Sequence, residues 1–122
     1  MGARKALGRG SVVGVDLGGT RGHEQQGLRP CVVVSDPAVA SEQRYPLICV
    51  IPITGTPGEG ALYPELQPGS SGLAKASYAL IDQVRSVDKT RLLRLYGTLS
   101  PTEMESLDNG LIWFLGLARR LR

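Results

Sequence analysis

Apolar residues in this chain come in short runs, and each run is closed by glycine or proline. Residues 11–17 are stopped by Gly18-Gly19, residues 30–35 by Asp36-Pro37, and residues 47–54 by Gly55-Thr56-Pro57-Gly58. Runs of six to eight residues rich in Val and Ile are too short for typical globular helices and have the composition of strands. With 16 glycines and 8 prolines among 122 residues, the chain reads as a loop-rich β architecture.

The remaining elements follow from the same signals. Residues 38–45 form an irregular or briefly helical connection. Residues 62–66 and 73–76 are short candidate strands on either side of Pro68-Gly69-Ser70-Ser71-Gly72. Residues 78–87 read as one strand, and Val84 and Val87 alternate at its end with the polar Gln83 and Arg85. Residues 89–93 admit a short helix, and residues 94–99 form the last strand. One longer helix is well marked. Ser100-Pro101-Thr102-Glu103 combines an N-cap serine, a proline at the first helical position and a capping-box glutamate. Met104, Leu107, Leu111, Phe114/Leu115 and Ala118 then share a face at helical spacing. The expected whole is a small, strongly bent sheet closed by a C-terminal helix.

This length favours one domain with a core of its own. The expected division is a basic tail over residues 1–8, a single domain over 9–118 and a basic tail over 119–122. No apolar run approaches the ~18 residues of a membrane span. Residues 1–10 are basic but lack the apolar stretch of a secretory signal, and Ala6 stands where a myristoylation site needs Ser or Thr. A cytoplasmic address without membrane attachment is expected. Cys31 and Cys49 lie in apolar runs and read as small buried hydrophobes. No CxxC or histidine cluster points to zinc. The net charge of +3 is carried by Arg4, Lys5, Arg9, Arg119, Arg120 and Arg122. Without those six, eight basic residues face eleven acidic ones, and the body is formally −3. A nucleic-acid site must therefore be a local feature.

The local feature is the loop between the first two strands. His23, Glu24, Gln25, Gln26 and Arg29 put the only imidazole, a carboxylate, two amides and a cation within seven residues. Pro30 fixes its own φ and keeps Arg29 out of the helical region. A planar, permanently charged guanidinium in a defined position suits a phosphate. Each residue alone has a plainer reading. Arg29 is a surface arginine paired with Glu24 or Asp36, and Thr54 shapes the turn after its strand. Gln83 and Arg85 sit on a solvated face, and His23 and Glu24 are exposed loop residues.

Taken together, the residues resemble a known family. The run Val15-Asp16-Leu17, Gly22-His23-Glu24-Gln25, Gly27, Arg29-Pro30 and Val32-Val33-Val34-Ser35 is similar to the N-terminal region of the MazF/PemK (Kid) mRNA-cleaving toxins of type II toxin–antitoxin systems. Val50-Ile51-Pro52-Ile53-Thr54 resembles the second active-site segment, and the block from Ala79 to Asp88 resembles the third. The capped helix at Ser100 falls where the family's C-terminal helix belongs. The likeness covers residues 9–117. It departs at Ser11, where Asp or Glu usually follows Arg-Gly, and at Gly18-Gly19-Thr20, where a loop proline is common.

The resemblance implies an SH3-like (PemK/CcdB-type) barrel, mainly β with a strongly bent antiparallel sheet and a C-terminal helix, working as a homodimer. It implies an endoribonuclease that cuts single-stranded RNA at a short sequence, without metal or other cofactor. The ribose 2′-hydroxyl attacks the adjacent phosphorus, leaving 2′,3′-cyclic phosphate and 5′-hydroxyl ends. By motif, Arg29 clamps the developing phosphorane charge and Thr54 holds a non-bridging oxygen. Arginine stays protonated and is a poor base, so Glu24 or His23 is the expected proton acceptor. Gln25, Gln83 and Arg85 are the expected base readers, with Lys75 on phosphate. Trp113 and Phe114 are expected in the core or the dimer contact. The implied partner is an acidic, MazE-like antitoxin whose disordered tail folds across the RNA cleft. The alternative is a non-enzymatic gyrase-poisoning toxin of the same fold. Proteins of that type end in Trp-Gly-Ile, whereas this chain ends Ala118-Arg119-Arg120-Leu121-Arg122.

Overall fold

The computed structural model describes residues 7–19 and 22–117. The expected basic tails, apart from residues 7 and 8, and Thr20 of the first loop lie outside the described residues. The chain forms strands β1 (Ser11–Asp16), β2 (Leu28–Val33), β3 (Leu47–Thr54), β4 (Glu65–Leu66), β5 (Ser77–Ala79), β6 (Arg85–Asp88) and β7 (Leu92–Thr98). A five-residue helix α1 (Pro37–Ser41) follows β2, and the long helix α2 (Pro101–Leu115) ends the fold. The strands make a curled antiparallel half-barrel in the order β4-β5-β3-β2-β1-β7, with β6 also on β3.

Alternation along the strands divides the apolar residues between two faces. Val12, Val32, Ile51 and Ile53 point toward α2 and pack with Leu66, Ile81, Leu99 and Leu107. Val13, Val15, Cys31, Val33, Ile48, Val50 and Val87 form a second cluster on the opposite face, covered by Ala40 of α1. The strands are buried on both sides, which is why they read as continuous apolar runs.

Several sequence boundaries shift for identifiable reasons. β2 starts at Leu28, so Arg29 lies inside the strand, across from Val15 of β1. Proline is admitted at position 30 because β2 pairs with β3 only from Cys31 to Val33, leaving an edge at Pro30 on that side. Residues 73–76 are not a strand; the pairing falls on β5, and the 62–66 candidate shrinks to β4.

The expected strand over 78–87 is broken. β5 places Ala79 across from Ile53, and an unbroken register would set residue 82 opposite Val50. Arg85 occupies that place instead, so three residues are looped out, as the 3-10 turn Ile81–Gln83. Ile81 is fully buried in the α2-side core. A second 3-10 turn, Lys89–Arg91, replaces the helix expected at 89–93.

Helix α2 begins as its capping sequence predicts. The Glu103 N–H donates to Ser100 Oγ at 3.1 Å, and the Ser100 N–H donates to Glu103 Oε1 at 2.9 Å. Glu103 Oε2 also accepts the Gln67 N–H at 2.7 Å, tying the helix start to the β4–β5 connection. The apolar stripe seats on the core only as far as Leu111. Trp113, Phe114 and Leu115 are exposed, so they are not core residues, and Ala118 lies outside the described residues. Arg9 is not a tail charge. Its guanidinium makes a two-pronged pair with Asp108 at 2.6 and 3.1 Å, and its Nε donates to the Val34 carbonyl at 2.9 Å. Among the described residues no helix is long and apolar enough to cross a membrane.

Gly110 sits in mid-helix, where glycine disfavours helix by about 1 kcal/mol relative to alanine. A Cβ there would stand 2.7 Å from the Ala61 carbonyl oxygen and overlap Ile81 Cδ1. Overpacking of this kind costs about 1–3 kcal/mol, so Gly110→Ala is expected to lower the melting temperature in spite of its better helix propensity. A higher melting temperature would show that the Ile81 seat yields freely.

Glu103 generates a second expectation. Burial raises its pKa, but the hydrogen bonds from Gln67 and Ser100 outweigh burial and hold the carboxyl below its ordinary 4.5. A carboxyl depressed in the folded state contributes stability that is lost as pH falls through its folded value. Urea midpoints should therefore fall below about pH 4.5, and Glu103→Gln should flatten that fall. Equal slopes in the two proteins would contradict the assignment.

Candidate nucleic-acid interface

The site grows out of the face that carries the second core. On β2, Arg29 shares its side with Cys31 and Val33; on β3, Thr54 shares its side with Val50 and Pro52. Cys31 faces Pro52 across the two strands. Two residues further along each strand, Arg29 and Thr54 take corresponding positions. Arg85 joins the same face from β6, since Val50 is opposite both Val33 and Arg85. The apolar face thus runs out into a polar rim carrying two arginines and a threonine.

Two adjoining clefts open at this rim. One, of about 400 Å³, has Gly19, Glu24, Gln25, Pro52, Gln83 and Arg85 in its wall. The other, of about 550 Å³, is walled by His23, Thr54, Thr56, Tyr63 and Leu80 among others. Gln25, Asp82 and Gln83 line both and form the ridge between them. The two expected proton acceptors are separated. Glu24 belongs to the cleft with Arg85, and His23 to the cleft with Thr54. Arg29 and Lys75 line neither.

Arg29 is exposed. Its Nε donates to the Gln26 carbonyl at 3.1 Å, and its Nη groups make no hydrogen bond to a described residue. No ion pair joins it to Glu24 or Asp36. Thr54 Oγ1 accepts the Thr56 N–H at 3.2 Å, the turn chemistry its position invites. The next residue is Gly55, where a Cβ would stand 2.8 Å from Lys75 Cε and 3.1 Å from Nζ. Lys75 therefore lies across the turn after Thr54. Arg85 Nη1 makes a long contact of 3.5 Å to the Leu17 carbonyl. Its charge is felt by Cys31, although burial dominates there and pushes the thiol up to about 12.

The Gln83 side chain is engaged with the loop. Its Oε1 accepts the Gln25 N–H at 2.7 Å, and its Nε2 donates to the His23 carbonyl at 3.1 Å. The loop is also closed at its base. The Gly27 N–H donates to Gly18 and the Leu17 N–H donates to Gly27, each at 2.9 Å, with φ at +68° for Gly18 and +77° for Gly27. Residues with a Cβ rarely adopt that backbone conformation.

Sequence reasoning missed Tyr63 and Asp82. The Tyr63 hydroxyl donates to Asp82 Oδ2 at 2.6 Å. That hydrogen bond and the nearby carboxylate charge hold the phenol above its ordinary range. Asp82 stood within the matched block beside Gln83, but its orientation depends on the looped-out turn, which no periodicity signals. Among the described residues no three His, Cys, Asp or Glu side chains are placed to hold a metal ion.

The fold matches a MazF crystal structure from Deinococcus radiodurans with a TM-score of 0.77 at 24% identity, over 93% of this chain and 99% of that one. It also matches an endoribonuclease in complex with its cognate antitoxin from a mycobacterial species, with a TM-score of 0.76 at 24% identity, over 92% and 97%. A MazE–MazF complex from Deinococcus radiodurans matches with a TM-score of 0.71 at 24% identity, over 93% and 98%. The family model for PemK-like, MazF-like toxins of type II toxin–antitoxin systems matches residues 8–115. The chain belongs to that family.

Proposed function

We propose that this protein is an endoribonuclease toxin that cuts single-stranded RNA without a metal ion, leaving 2′,3′-cyclic phosphate and 5′-hydroxyl ends. The observation that carries the reading is the emergence of Arg29, Thr54 and Arg85 on one face of the sheet, beside two open clefts, in a member of the toxin family.

In-line attack by a ribose 2′-hydroxyl puts extra negative charge on the phosphoryl oxygens. Arg29 answers that charge with a guanidinium whose Nη groups project free of described partners. Such donors gain worth as bound RNA displaces water from the rim. Thr54 holds a non-bridging oxygen through its hydroxyl proton, its lone pair being engaged by Thr56. Lys75, across Gly55, serves the neighbouring phosphate. Glu24 or His23 takes the 2′-hydroxyl proton as the P–O5′ bond breaks, and the departing oxygen takes a proton from water to become the 5′-hydroxyl; the separation of the two clefts makes the choice of acceptor testable by single substitutions. Bases splay into the clefts and meet Gln25 and Arg85, as expected for recognition of unstacked RNA.

In this reading the protein works as a homodimer. Exposed apolar side chains on β7 (Leu93, Leu95, Tyr96) and at the end of α2 (Trp113, Phe114, Leu115) offer surface for burial. An acidic antitoxin tail would compete with RNA for the same cationic rim, and loss of cutting on its addition is the expected sign.

The test is incubation of a long RNA in excess EDTA, followed by mapping of cut sites and end groups. Cleavage with cyclic-phosphate ends is expected. Arg29→Ala should slow it by about 10²–10³ if the guanidinium acts as an oxyanion donor. Intact RNA in EDTA, or a loss of tenfold or less in Arg29→Ala, would contradict the reading.

A further inference from the structure

We propose that Gln83 is a positioning residue: its side-chain amide locks the His23–Gln25 backbone and so sets the shape of both clefts, instead of reading an RNA base. The inference rests on the ribonuclease reading above for its consequence in catalysis, and on geometry alone for the lock.

The amide meets the loop twice, with Oε1 2.7 Å from the Gln25 nitrogen and Nε2 3.1 Å from the His23 carbonyl oxygen. A backbone N–H can only donate and a carbonyl can only accept. Those two partners therefore fix which end of the amide points where. With one Oε1 lone pair and one Nε2 hydrogen committed to the loop, the amide keeps a single donor and a single acceptor site for any other partner. It spans 58 and 60 residues of sequence, joining a loop to a turn that have no strand pairing between them.

The turn that carries Gln83 is a firm base. Its Ile81 is fully buried and seated against Gly110 of α2. Gln83 N–H donates to Leu80 and Val84 N–H to Ile81, at 2.9 and 3.1 Å. The Leu80 N–H donates to the Pro52 carbonyl at 2.9 Å. The loop on the other side is pinned at its base by the Gly18–Gly27 hydrogen bond, and Gln83 holds it some way out from there. His23 and Glu24, the two expected proton acceptors, lie within or beside the locked segment. Gln25 forms part of both cleft walls. Releasing the lock would remove one of the ties that set this segment relative to Arg29 and Thr54, which are held by strands.

The experiment compares wild type with Gln83→Met, which keeps the length and loses both hydrogen bonds, and Gln83→Glu, which keeps an acceptor for Gln25 but sets negative charge against the His23 carbonyl. Three quantities are read: exchange of the Gln25 amide proton by NMR, kcat and KM on RNA, and the map of cut sites. In Gln83→Met the Gln25 amide should exchange about tenfold faster, the loss of one hydrogen bond. Its kcat should fall by up to about 10²-fold, as for a displaced catalytic group, with KM and the cut-site map unchanged. Gln83→Glu should keep Gln25 protected and lose less in kcat.

Unchanged Gln25 exchange in a folded Gln83→Met protein would overturn the lock. Faster exchange with a wild-type kcat would overturn its role in positioning. An altered cut-site map, or a rise confined to KM, would return Gln83 to base reading. Should wild type leave RNA intact, the ribonuclease reading and the positioning role fail together, while the exchange data still decide the lock.

Discussion

Strand β3 is the member on which the rest of the molecule hangs. Its eight residues pair with β2 on one side and, on the other, first with β6 and then with β5. Val50 is bonded into both neighbours, and Ile51 and Ile53 anchor the core under α2 while Ile48 and Val50 anchor the opposite one. Proline in a central strand is ordinarily disfavoured for want of an N–H. Pro52 stands where β3 passes from one set of partners to the next, and its carbonyl accepts the Leu80 N–H. That handover bends the sheet, and it brings the ends of β2, β3 and β6 to one rim.

The handover also accounts for the residues that line the clefts. Three residues are looped out between β5 and β6 because the two strands meet β3 in registers that differ by three. They form the turn that carries Ile81 inward and turns Asp82 and Gln83 toward the clefts. Gly110 gives Ile81 room, so a glycine that weakens α2 helps to keep the turn seated. Helix, turn and polar loop are thus joined in series. In that arrangement, the proposed lock at Gln83 ties the His23–Gln25 backbone to a turn seated in the core.

Much of this was legible beforehand, for physical reasons. The bounds of β3 follow from an uninterrupted Ile/Val run between two breakers. The start of α2 follows from the capping box at Ser100 and Glu103, whose two hydrogen bonds form as expected. Arg29, Thr54 and Arg85 could be singled out by motif, but their shared face comes only from the strand pairing. Other features depend on tertiary pairing and left no local trace. The strand expected over 78–87 breaks because its two halves find different registers on β3. Gln83 looked like a solvated polar residue until its partners, far off in sequence, were in place. Arg9 counted as tail charge, yet it pairs with Asp108 on α2. Phe114 and Leu115 fitted the helical stripe, but the core ends at Leu111, and no periodicity tells where the opposing surface stops.

In the proposed mechanism the nucleophile belongs to the RNA itself, and the protein supplies a cationic rim, a hydroxyl and a proton acceptor. The decisive group is therefore the 2′-hydroxyl of the ribose at the cut. The direct measurement uses an RNA oligonucleotide with a mapped cut site and a single 2′-deoxy substitution at the nucleotide 5′ of the scissile phosphate. This bond should survive while an unmodified control is cut. Cleavage of the substituted bond at the control rate would show that the 2′-hydroxyl is not the nucleophile, and would contradict the proposed mechanism.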